Sequence, residues 1–174
     1  MVIPDYFVGR TDQKLRFARI HLDELIAHHG RDSGDDFERS HHESFLFHLF
    51  GACDAFLQEL NIYYAFGLAI AKVSTRELAR SMRKRGVTSS ELIALEKLES
   101  EADSYLGIAK HLRHHSTHRG GIPMQHYFNG PSYLVHPLTR KVLNEDTVDM
   151  FDDWLNRLTE LLSGLRLSAT QNHV

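Results

Sequence analysis

The chain has 174 residues, of which 42% are hydrophobic and 25% charged, with a formal net charge of −3. That length is one ordinary domain, and that balance excludes both a disordered chain and a membrane protein. A single soluble domain spanning 1–174 is therefore predicted, and 11 Gly with 4 Pro are too few for a loop-rich β architecture. The lone Cys53 has no intramolecular partner and points to a reducing, cytoplasmic setting. Pro4 and Asp5 interrupt any leader-like apolar stretch, and the longest apolar run, Ile62 to Ala71, is about half a bilayer span. Neither secretion nor membrane insertion is expected. Thirteen histidines are the compositional anomaly.

Thr11 is positioned to cap a helix from Asp12 to about His29, with Leu15, Ala18, Leu22, Leu25 and Ile26 on its apolar face and Gly30 as its stop. Arg31 to Asp36 reads as a polar loop. Phe37 to about Gly67 is apolar on more than one face, as a helix buried on several sides requires. Ser74 with Glu77, and Thr88 with Glu91, match the S/T-x-x-E capping box and mark two further helix starts. The first opens a short basic helix ending at Gly86. The second opens a long helix through Leu92, Leu95, Leu98, Ala102, Tyr105, Leu106, Ala109 and Leu112, stopped by Gly120 and Gly121. Asn129-Gly130 favours a tight turn between extended segments, so a small hairpin-like insert is predicted at about 122–137. Asp146 or Thr147 caps a last helix whose stripe includes Val148, Phe151, Trp154, Leu155, Leu158, Leu161, Leu162 and Leu165. The whole describes an all-α, up-and-down helical bundle: four main helices plus a short basic one.

Chemistry concentrates in Lys110 to Gly121, which reads KHLRHHSTHRGG. His111, His114, His115 and His118 fall at steps of three, four and seven, along one stripe of a helix, with Arg113 and Arg119 flanking them. Cations near a helix C-terminus are favoured by the macrodipole, but four histidines with two arginines exceed that need. Histidines one turn apart can also share a metal ion. Against this, the E-x-x-H pair Glu38 with His41 occurs once, where a di-iron bundle uses it twice, and the arginines oppose a bound cation.

A third reading comes from Arg113-His114-x-x-x-His118 at the end of a helix in a small helical bundle. It resembles the HEPN superfamily, marked by an arginine, a polar residue, and a histidine after four to six intervening residues. Among fourteen arginines, Arg16 with His21, Arg119 with His126 and Arg166 with His173 share the spacing, but only Arg113 is followed by a polar residue. The resemblance implies a metal-independent endoribonuclease without cofactors, in the toxin part of a toxin-antitoxin or defence system with an antitoxin protein as partner. A non-catalytic RNA-binding or protein-interaction dimer is its alternative, and a histidine-rich metal-binding bundle the second. On this reading Arg113, His114 and His118 are the catalytic residues. An imidazole suits proton transfer at the ribose 2′-OH or the leaving oxygen, and a permanently charged guanidinium suits phosphate. Arg113 and His118 lie roughly 140° apart on a regular helix, so one compact site needs the helix to end between them or a twofold homodimer to bring two copies together.

Lys72, Arg76, Arg80, Arg83, Lys84 and Arg85 against Glu77 give a local charge of +5. A solvated face is one reading. The other is a phosphate-binding strip in which Arg76, Arg80, Arg83 and Lys84 act with Lys110 and Arg119 on RNA. His28, His29, His41, His42 and His48 read as helix-end or core histidines, and Tyr63, Tyr64, Tyr105 and Trp154 as core.

Overall fold

Apolar residues at three- and four-residue steps put most of this chain into helices. A computed structural model describes residues 5–29, 35–86, 89–119, 121–125, 133–143 and 146–171. Among these, six α-helices run in the order α1 (Asp5–His28), α2 (Asp35–Tyr63), α3 (Thr75–Lys84), α4 (Ser90–Ser100), α5 (Tyr105–Arg119) and α6 (Thr147–Gln171). Strands β1 (Met124–Gln125) and β2 (Tyr133–Leu134) pair antiparallel between α5 and α6, with Met124 opposite Leu134. The architecture is the all-α bundle with a small hairpin-like insert that the sequence predicts. Its Asn129-Gly130 turn lies outside the described residues. No described helix is long and apolar enough to cross a membrane.

Four features differ from the sequence reading. α1 starts near Asp5, so Thr11 is not its cap. Thr11 is fully buried nearly two turns inside, its hydroxyl without a hydrogen-bond partner among the described residues. The central helix ends at Tyr63, and a 3₁₀ turn at Ile70–Lys72 leads into α3. The long helix from residue 88 is two helices. Glu101 is extended, and the Ser104 hydroxyl donates to the Leu98 carbonyl while accepting from the Gly107 amide at 2.9 Å, which caps α5. Gly107 is required there, because a Cβ would stand 1.9 Å from the Glu101 carbonyl oxygen. The cap of α4 is Ser89, which accepts from the Leu92 amide at 3.1 Å, rather than Thr88, which lies outside the described residues. Ser74 does cap α3, accepting from Glu77, and the Asp146 carboxylate accepts from the Val148 amide at the start of α6.

α1 and α2 form an antiparallel pair that buries Ala18, Leu22 and Leu25 against Phe45, Leu46, Leu49 and Phe56. α6 lies across both. Phe151 stacks on Phe45 with centroids 4.2 Å apart, and Arg19 pairs with Asp152 at 2.6 Å. Near the other end of α6, Arg166 reaches Glu59 of α2 at 3.1 Å and Asp12 of α1 at 2.8 Å. Glu59 is almost fully buried, so this guanidinium neutralises a carboxylate inside the core. The hairpin is fixed by His136, which is also buried: its Nδ1 accepts from the Leu138 and Thr139 amides, and its Nε2 donates to the Ala102 carbonyl at the α4–α5 break. Cys53 is a buried free thiol, and burial raises its pKa.

His42 is 4% exposed, edge-on to Phe151, and its Nδ1 has no hydrogen-bond partner among the described residues. Burial, then the neighbouring His41, lowers its pKa to about 4. The unfolded chain takes up this proton near pH ~6.5 and the folded chain only near 4, so stability falls as the pH drops between those values. The shift is worth roughly 3 kcal/mol. Urea midpoints at pH 7 and pH 5 are expected to show about 2 kcal/mol of this loss, and His42→Leu to reduce it.

Candidate functional site

α5 continues without interruption through Arg119, so no helix end separates Arg113 from His118. Their backbone positions are roughly 140° apart around one axis. The side chains of His118 and Arg119 lie outside the described residues. Arg113 is near the middle of α5, half-buried against α2, with its guanidinium 5.6 Å from the Phe50 ring centre and 5.7 Å from that of Phe47. Asp54 is its only ion-pair neighbour among the described residues, at 3.9 Å. His114, the next residue, is exposed. His115 turns away from both, donating from Nδ1 to the Gly121 carbonyl at 2.7 Å, which ties the helix end to the hairpin. His111 faces His136, and burial followed by that neighbour lowers its pKa.

On the side of α2 facing Arg113, side chains that no motif suggested come together. Lys14 of α1 is 9% exposed. Its stem crosses α2 at Gly51, where a Cβ would lie 3.0 Å from Cδ and 3.1 Å from Cε. Its ammonium then donates to His48 Nδ1 at 3.3 Å and stands 4.5 Å from the centre of the half-exposed Phe47 ring. Burial, then the charges of Arg10 and Arg113, lower the Lys14 pKa against the pull of Asp54. His48 is lowered to about 4 by partial burial, then by Lys14, His21 and Arg10. It is a neutral imidazole at pH 7, with Nδ1 free of a proton to accept the lysine. Next along the same seam, His21 stacks on His48 with centroids 5.5 Å apart and its Nδ1 lies 3.2 Å from that of His41. Three elements thus bring Lys14, His48, Asp54 and Arg113 to one place, and burial displaces the titrations of Lys14, His48 and Asp54 in the way that marks functional sites.

Sequence reasoning found Arg113 and missed the rest. Lys14 and Gly51 each left a signal, a charged residue and a helix-interior glycine on otherwise apolar stripes, but pairing them requires the register of α1 on α2. In the basic strip, Arg76, Arg83 and Lys84 are exposed, Lys110 is exposed on α5, and Arg80 is tied to Glu77 at 3.1 Å. Arg85 serves the fold, donating to the Tyr64 and Ala65 carbonyls beyond α2. Among the described residues, no three His, Cys, Asp or Glu side chains converge as metal ligands. Comparison with models of known families, with characterised proteins and with solved structures found no match to this chain.

Proposed function

We propose that the protein is a metal-independent endoribonuclease of HEPN-like type, acting as a homodimer on RNA. Arg113, His114 and His118 are the catalytic residues, and Arg76, Arg83 and Lys84 of α3 with Lys110 contact the RNA backbone. The observation that carries this reading is the state of Arg113. Its guanidinium lies over two aromatic rings, yet among the described residues its one carboxylate neighbour is at the limit of contact, which leaves its forked donors to a phosphate. His118 activates a 2′-OH or protonates the leaving 5′-oxygen, while Arg113 stabilises the charge gathered on the phosphorus oxygens. The uninterrupted helix supports the two-copy site, because separation around one axis keeps the pair from meeting within one chain. A toxin role with an antitoxin partner belongs to the same proposal.

Incubating the protein with RNA in excess EDTA is expected to give fragments ending in 2′,3′-cyclic phosphate and 5′-OH, with DNA of the same sequence intact. Light scattering on the same preparation is expected to give a dimer. Loss of cleavage in EDTA would move the reading to the metal-binding bundle, and RNA binding without cleavage to the non-catalytic dimer.

A further inference from the structure

A lysine that is nine-tenths buried ordinarily faces a carboxylate. Lys14 does not: among the described residues, its ammonium meets a neutral imidazole at 3.3 Å and an aromatic ring at 4.5 Å. Asp54 pairs with Arg113 at 3.9 Å, and Arg10 spends one guanidinium nitrogen on Gln13 at 2.7 Å. Among the described residues, three cations therefore share the neighbourhood of one carboxylate, itself 69% exposed. The fold also accepts a glycine in the interior of α2, where alanine is favoured by roughly 1 kcal/mol, and a Cβ at that position would displace the lysine stem. An ammonium with donors to spare among the described residues, a forked guanidinium near it and an exposed ring beside both suit an anion that carries an aromatic group.

We propose that Lys14, with Arg113 and the face of α2 at Gly51, binds a phosphodiester group of a nucleic-acid strand, and that Phe47 carries an adjoining base. The ammonium and the fork bond to the non-bridging oxygens. His48 orients the lysine by accepting one of its three protons. Phe47, 51% exposed, offers its ring to a base, which an acidic side chain would not use. Asp54 opposes the site, because an incoming anion competes with it for Arg113. The proposal shares Arg113 with the cleavage reading but requires no cleavage.

The probe is thymidylyl-thymidine, which has one phosphodiester and no 2′-OH, titrated while following the Gly51 amide and His48 ring resonances by NMR. Saturable shifts at both are expected, and thymidine alone is expected to give none. Lys14→Met should weaken binding by about tenfold to a hundredfold, as for a lost charge-assisted hydrogen bond. Gly51→Ala should weaken it severalfold with an unchanged or higher melting temperature, which separates displacement of the lysine from unfolding. Asp54→Asn should tighten it. Absence of saturable shifts, wild-type affinity in Lys14→Met, or equal binding of the carboxylate N-acetylglutamate α-amide would each overturn the proposal. RNA cleavage without dinucleotide binding removes the anchor and leaves the cleavage reading standing; dinucleotide binding without cleavage does the reverse.

Discussion

Alanine at His118 is expected to slow RNA cleavage by ~10²–10⁴, the usual loss when a positioned proton-transfer group is removed. Arg113→Ala should cost about 10²–10³, because a donor to the developing charge is lost while the proton-transfer group stays. Arg113→Lys keeps the charge but not the fork, and should recover only part of the rate. The fold should survive in each case. Arg113 is half-buried and lies over Phe47 and Phe50, so its removal forfeits two cation–π contacts, a loss of about 1 kcal/mol. The two inactive variants also test the assembly. If the site takes its arginine from one copy and its histidine from the other, mixing His118→Ala with Arg113→Ala under subunit exchange should restore cleavage, since half of each mixed dimer's residues complete one intact pair. A site within one chain would stay inactive in the mixture. Equal rates in wild type and both variants would remove these residues from the chemistry.

Arg166→Met is expected to produce the largest loss of stability in the molecule. Glu59 is 2% exposed, and Arg166 contacts both of its carboxylate oxygens, at 3.1 and 3.2 Å, while reaching Asp12 at 2.8 Å. Taking away the guanidinium leaves a carboxylate among apolar side chains, which costs about 3–5 kcal/mol. In a domain of this size that corresponds to a fall of about 10 °C in melting temperature. The exposed pair Arg157 with Asp153 at 3.2 Å should matter little, and its removal is a control. The double variant Glu59→Leu, Arg166→Met should recover most of the loss, because no charge then remains buried. If the single and double variants melt together, the cost lies in packing of the arginine stem rather than in the stranded charge. Circular dichroism melts of the three proteins decide between these.

The features legible in the sequence are those set by neighbours a few residues apart. Ser74 and Asp146 cap their helices as short-range rules require, and the stripe of α6 at Phe151, Leu155, Leu158, Leu162 and Leu165 is buried along its length. The break between α4 and α5 escaped because apolar spacing continues across it from Leu98 to Tyr105. What stops the helix is a backbone approach at Gly107, which leaves no trace in periodicity. Thr11 misled in the opposite way: its type suits a cap, but its place on the buried face of α1 decided its role. Lys14 and His48, 34 residues apart, meet only after two helices are aligned. The spacing of Arg113 and His118 was readable as a motif, whereas the availability of Arg113 depends on Phe47, Phe50 and Asp54, all on another helix.

The ion cluster at Arg166 also imposes an order of events on a nascent polypeptide. α1 and α2 are made before α6, and their antiparallel pairing is local in sequence, so it is available before α6 emerges. Glu59 is then already committed to the seam, yet its counter-charge is 107 positions downstream. Until that part of α6 has emerged, burying the Glu59 carboxylate would leave it without its counter-charge, which opposes closure of that end of α2. α6 is thus the helix that locks α1 onto α2, and a chain halted before it would lack that lock.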